Sequence, residues 1–148
     1  MSEVLEFDTV ILGGGPAGLS AGIYAARATG NIAIVDVSMF GGQPSNYLEL
    51  ENYPAFPIIG GYDLMEKMEE HADKFGVNKF PMEEIQKIDL VSNPKTIETL
   101  THTFKAKSVI IATGAQPKKL GVKGEKEFLG RGVSYCAICD GAFYRDKT

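Results

Sequence analysis

Cys136 and Cys139 are the two cysteines of the chain, and they form one C-x-x-C within GVSYCAICDGAFY, residues 132–144. A disulfide across two intervening residues closes too short a loop to stabilise a fold much. Pairs at this spacing are typically redox-active, because their surroundings stabilise one thiolate, which then leaves readily in exchange. Zinc fits poorly. A structural site wants four ligands, and beyond the pair only His71 and His102 remain, neither at ligand spacing, so no metal is expected. Asp140, directly after Cys139, can hand a proton to a departing thiolate. A plain Asp-Gly turn at Asp140–Gly141 would account for the same residue without chemistry.

A second chemical constellation lies near the N-terminus. Gly13, Gly15 and Gly18 have the G-x-G-x-x-G spacing, between the apolar run Val10-Ile11-Leu12 and a small-residue helical stretch that runs to Gly30. The first glycine permits the tight turn, the second lets a pyrophosphate approach the backbone, and the third lets the helix pack closely on the sheet. Pro16 suits the first helical turn, where a missing N–H costs nothing, and Ala17, Ala21, Gly22, Ala25 and Ala26 keep the helix thin enough to sit against the strands. The unpaired N–H groups and positive dipole end of such a helix face phosphates. Ile32-Ala33-Ile34-Val35 reads as a second buried strand ending at Asp36, eighteen residues past Gly18, where an acid can accept hydrogen bonds from ribose hydroxyls. Spacing alone does not distinguish FAD from NAD. A dinucleotide site together with one C-x-x-C suggests electron flow from a bound redox cofactor to a disulfide.

The elements that position these residues follow from periodicity. The segment from Gly41 to Pro57 is rich in turn residues, prolines and aromatics, and reads as an ordered loop covering a ligand. Tyr62 to Gly76 reads as an amphipathic helix with Leu64, Met68, Ala72 and Phe75 on one face, Asp63 and Glu66 forming a capping box, and His71 a solvated edge residue. Met65 and Met68 are read as core. From Asn78 the period is that of strands. Ile85 to Leu90, Thr96 to Leu100 and Thr103 to Lys105 read as a small antiparallel meander with a turn at Ser92-Asn93-Pro94, and His102 falls at a turn. Ser108 to Ala112 reads as another buried strand, ending at Thr113-Gly114, where backbone can meet a ligand. The lysine- and glycine-rich segment from Gln116 to Arg131 is the best domain boundary and reads as a solvated linker.

The composition is ordinary for a globular protein, 44% apolar and 23% charged. A net charge of −4 argues against nucleic acid or an anionic membrane as the main partner. The opening MSEVLEFD carries no basic segment followed by an apolar one, so no secretory signal is expected, and no apolar stretch approaches a membrane span. Two cysteines in one C-x-x-C fit a reducing compartment, and the expected location is cytoplasmic.

These residues closely resemble the bacterial low-molecular-weight thioredoxin reductase family. The resemblance rests on Gly13 to Gly18 with the Ala-Ala-Arg helix, Gly41-Gly42-Gln43, Glu51-Asn52-Tyr53-Pro54, Ala112-Thr113-Gly114, Gly130 to Ser134, and Cys136 to Gly141, in the family's order. It implies an α/β Rossmann-like FAD-binding domain, a parallel sheet with a small antiparallel meander, over residues 1–117. Residues 118–148 would be a linker and the start of a pyridine-nucleotide domain carrying the cysteines.

The resemblance further implies FAD held by Gly13, Gly15, Pro16, Ala17 and Gly18 at the pyrophosphate and by Asp36 at the ribose. Gly41, Gly42, Gln43 and Asn52 would reach the flavin and ribityl side, and Thr113, Gly114 and Ala115 would line the same cleft. NADPH would reduce the flavin and the flavin the disulfide, with Cys139 the flavin-facing sulfur, Cys136 the thiol that attacks thioredoxin, and Asp140 the proton donor. Residues 116–119 would lie on the family's domain hinge.

NADH or ferredoxin as donor, or a peroxidase component as acceptor, keeps the same fold. So does a non-catalytic nucleotide-binding piece. Family members are usually homodimers. Ala55 after Pro54 and Ala142 before Phe143 depart from the common pattern. The end at Thr148 is expected to make this an N-terminal part, with the NADPH site elsewhere.

Overall fold

A computed structural model describes residues 2–28 and 30–146, the side chains of Ile138, Cys139 and Ala142 excepted. The chain divides into two compact units, Met1–Gly114 and Ala115–Thr148.

The first unit is α/β. Its elements are β1 (Glu3–Leu12), α1 (Pro16–Arg27), β2 (Ile32–Val35), α2 (Gly61–Lys74), β3 (Asn78–Phe80), β4 (Ile85–Asp89), β5 (Lys95–Thr99) and β6 (His102–Ile111). The strands form one sheet in the order β3-β2-β1-β6-β5-β4. The first three pairings are parallel and the last two antiparallel, so the meander is a continuation of the parallel sheet. The long pair β1–β6 joins the two parts, in register from Glu3↔His102 to Leu12↔Ile111.

The end of β1, Val10–Leu12, and all of β2 are buried on both faces, which is why their sequence is continuously apolar instead of alternating. Ile11, Ile32 and Ile34 meet α1 and α2 through Leu19, Ile23, Met65 and Ala72. Their neighbours Val10, Leu12, Ala33 and Val35 point the other way, into a cluster with Ile97, Phe104 and Ala106 of the meander. Here Phe7, Phe80 and Phe104 pack ring against ring, Phe80 and Phe104 edge-on at 4.9 Å between centroids.

Several expectations are corrected. The segments read as separate strands, Thr103–Lys105 and Ser108–Ala112, are one strand, β6. Its last part is not buried: Ile111 is 65% exposed. That stretch pairs with β1 on one side and, among the described residues, has no strand on the other. α2 begins at an N-cap Gly60 with no side-chain cap hydrogen bond, so Asp63 and Glu66 form no capping box. Phe75 lies at its C-cap, partly exposed, and its ring meets His71 at 5.4 Å. The turn expected at Ser92-Asn93-Pro94 does lie between β4 and β5, and Asp89 holds it. The Ser92 hydroxyl and the N–H groups of Ser92 and Val91 bond its carboxylate and hold its pKa down to about 2.

His102 opens β6 and is not a free turn residue. Its Nδ1–H donates to Glu83 Oε1 at 2.7 Å, while the hydroxyls of Thr99 and Thr101 donate to Glu83 Oε2. Glu83 is buried beneath these partners. Burial alone would push its carboxyl up, but the hydrogen bonds from Thr99, Thr101 and His102 outweigh it and hold it below the ordinary 4.5.

Two outcomes follow for stability. Phe104→Ala removes a fully buried ring and is expected to cost about 3–5 kcal/mol in chemical denaturation. The second concerns acid. In the unfolded chain Glu83 takes its proton near 4.5, and in the folded chain only at lower pH. The contribution is therefore complete above 4.5 and declines as pH falls through the folded value. Urea melts across pH values bracketing 4.5 are expected to show this acid slope, and Glu83→Gln to flatten it.

Candidate dinucleotide cradle and cysteine turn

The carboxyl ends of β1, β2 and β6 lead into the segments that begin at Gly13, Asp36 and Ala112, and ligands of open parallel sheets bind outside such ends. Gly13 N–H donates to the Val35 carbonyl at 2.8 Å, which ties the turn to the end of β2. Gly13 has φ +110°, and a Cβ there would collide with the Ala112 carbonyl oxygen. A Cβ on Gly18 would collide with the carbonyl oxygen of Gly13. These contacts bring Gly13, Gly18, Ala112 and Thr113 together.

Gly15 is the N-cap of α1, and Pro16 stands in the first turn. Among the described residues no side chain caps the helix, and no acid lies in its first turn, so its amino-end N–H groups and dipole are left for an anion. Gly41 N–H donates to the Gly14 carbonyl at 2.9 Å. That bond lays Gly42 against Gly15, with the Cβ position of Gly42 only 3.1 Å from the Gly15 Cα. Two glycines facing each other above a helix terminus leave a floor of bare backbone, and this fits a pyrophosphate.

Asp36 reaches into the glycine turn. Its Oδ2 accepts from Gly14 N–H at 2.6 Å, and its Oδ1 accepts from both the N–H and hydroxyl of Ser38. A carboxylate has lone pairs beyond these three bonds, so the ribose reading remains open to it. Gln43 starts a 3-10 turn, Gln43–Asn46, inside the expected covering loop. Asn52 lies further along, between Leu50 and Ile59, which pair as an antiparallel bridge. Both are exposed, as are Ala17, Thr113 and Gly114, whereas Ala115 belongs to the second unit.

Sequence reasoning missed Ser38 and Phe40, whose ring covers Gly14. The D-x-S spacing of Asp36 and Ser38 was a usable signal for the first. No local signal marks Phe40.

In the second unit Cys136 is disulfide-bonded. The other cysteine, Cys139, has its side chain outside the described residues. Cys136 N–H donates to the Ser134 hydroxyl, which donates in turn to the Cys136 carbonyl. That carbonyl also accepts Asp140 N–H at 3.1 Å, closing the helical turn α3 (Ala137–Asp140). A single turn of this kind brings positions 136 and 139 onto one side. The lysine-rich stretch before it is not simply a solvated linker. Glu125 is buried, and its carboxylate accepts from the N–H groups of Leu120 and Gly121, folding the segment back on itself.

Residues 7–148 match the family of pyridine nucleotide-disulphide oxidoreductases. The chain is 45% identical over 147 residues to thioredoxin reductase of Bacillus subtilis, covering 99% of this chain and 46% of that protein. The Lactococcus lactis thioredoxin reductase structure aligns with a TM-score of 0.77 at 43% identity, over 93% of this chain and 45% of that one. A ferredoxin-flavin thioredoxin reductase from Clostridium acetobutylicum aligns at 0.69 and 34% identity, over 96% of this chain and 49% of that one. The chain thus spans about half the length of the relatives it matches.

The cradle can be tested apart from any reaction. Gly15 has ordinary backbone angles, φ −80° and ψ −173°, and room for a methyl group. Gly15→Ala is expected to keep its unfolding free energy within about 0.5 kcal/mol of the parent, while FAD binding falls at least tenfold in a flavin-fluorescence titration. Gly18→Ala, which drives a methyl into backbone, is expected to lose about 1–3 kcal/mol of stability as well.

Proposed function

This chain belongs to the pyridine nucleotide-disulphide oxidoreductase family, and on that premise we propose that it is the FAD-binding, cysteine-bearing N-terminal part of a thioredoxin reductase. The single observation that carries the reading is the pairing of a bare-backbone dinucleotide cradle with a disulfide at Cys136 in one short chain. FAD, when bound, supplies a carrier that accepts an electron pair from a donor and passes it to a disulfide.

The chain's own residues then divide the work. Gly13, Gly15, Pro16, Ala17 and Gly18 hold the pyrophosphate, and Asp36 the adenosine ribose. Gly41, Gly42, Gln43, Asn52, Thr113, Gly114 and Ala115 orient the ribityl and ring portion. Cys139 is the sulfur that receives the electron pair as its bond to Cys136 breaks. Cys136, freed as a thiolate, attacks the disulfide of thioredoxin, and Asp140 supplies the proton that the leaving sulfur needs.

NADPH is the proposed donor, bound outside residues 1–148. The proposed assembly is a cytoplasmic homodimer, with residues 1–117 serving FAD and 118–148 opening the pyridine-nucleotide domain. A second reading is favoured by one observation, the likeness to the Clostridium acetobutylicum ferredoxin-flavin enzyme. There the donor is reduced ferredoxin and the rest of the scheme stands.

The full-length polypeptide is expected to be yellow and to bleach anaerobically with NADPH, and Cys136→Ser or Cys139→Ser to abolish thioredoxin reduction while the bleaching persists. Bleaching with reduced ferredoxin but not NADPH would select the second reading. A colourless protein that does not take up FAD would refute both.

A further inference from the structure

The turn between β3 and β4 is fastened to the segment that carries Asp36. Asp36 N–H donates to the Phe80 carbonyl at 3.0 Å, Glu83 N–H donates to the Asp36 carbonyl at 2.8 Å, and Met82 N–H donates to the Ser38 carbonyl at 3.1 Å. Between the last two bonds Met82 is held at φ +61°, a conformation that costs a residue with a Cβ free energy and persists only where its surroundings impose it. The surroundings on the other side are Glu83 and its three donors, Thr99, Thr101 and His102.

We infer that Glu83 is a positioning residue for the adenosine end of the dinucleotide site, an inference that rests on the cradle binding FAD. Its buried carboxylate pins the turn to the meander, the turn pins the Asp36 backbone on both sides of its peptide, and the Asp36 carboxylate pins Gly14. One connected set of bonds therefore runs from β5 and β6 to the glycine turn. The set holds Asp36 directly, through its N–H and its carbonyl, and meets the half of the site that Gly41, Gly42, Gln43 and Asn52 are proposed to serve at its far end, where the Gly14 carbonyl accepts Gly41 N–H. Loosening Glu83 is thus expected to weaken ligands that carry adenosine and to spare those that do not. A residue with only a stabilising role would weaken all ligands together.

Flavin-free full-length protein and its variants Glu83→Gln, Thr99→Val and Thr99→Ser would be titrated with FAD and FMN by flavin fluorescence, and with ADP by competition. Thr99 is buried and donates to Glu83, and its hydroxyl accepts from the N–H groups of Thr101 and His102, so the valine variant removes these bonds at nearly constant shape and the serine variant restores them. Glu83→Gln is expected to weaken FAD and ADP by about tenfold or more, with FMN changed less than about twofold. Thr99→Val is expected to act in the same direction, and Thr99→Ser to recover the parent values. If Glu83→Gln fails to fold, the Thr99 pair decides. Equal losses for FAD and FMN, or no loss of ADP affinity in either disruptive variant, would overturn the inference. A parent protein that binds no FAD would instead overturn the proposed function.

Discussion

No side chain fits between Gly18 and the carbonyl oxygen of Gly13. That close approach sets how near α1 can lie to the end of β1, and the remaining geometry follows from it. Only with the helix seated this deeply does its amino end come level with the glycine turn, where Gly15 and Gly42 face each other without intervening side chains. The buried apolar face that holds α1 in place, Leu19 and Ile23 on Ile11, Ile32 and Ile34, provides the driving force. Glycine provides the distance.

Polar groups then fix what hydrophobic packing leaves loose. Asp36 spans two segments, with Gly14 on one side and Ser38 on the other. Glu83 repeats the device one layer further out, satisfied by three donors from the meander. A buried carboxylate without such partners would be costly, and removing any one donor leaves the charge under-satisfied. The meander is therefore more than a cover for Val10, Leu12, Ala33 and Val35. It is the fixed body to which the turn beside Asp36 is tied.

Much of this was legible in the sequence where the requirement is local. Gly13 and Gly18 are demanded by their own backbone or nearest contact, so the motif could be read directly, and the four-residue run Ile32–Val35 could only be a doubly buried strand. The C-x-x-C was legible for the same reason, since two residues fix its spacing. What escaped is set by distant partners. The first half of β1, with exposed Glu3 and Val4, carries no strand signal by itself and is extended because β6 pairs with it some hundred residues away. Ile110 and Ile111 look like core, but their exposure depends on which strand lies beyond β6. Glu83 and His102 look like surface residues, and only the return of β6 past the β3–β4 turn makes them a hydrogen-bonded pair, Glu83 buried and His102 half-buried.

The family relationship adds the chemistry that such a cradle and cysteine turn can perform, and the geometry makes one part of it directly visible to experiment. A crystal of the protein grown with FAD would show where the pyrophosphate sits. The account predicts its oxygens against the backbone of Gly15, Pro16 and Ala17 at the amino end of α1, with the adenosine ribose at Asp36. Ordered FAD bound elsewhere on the first unit, with this turn left facing solvent, would contradict it.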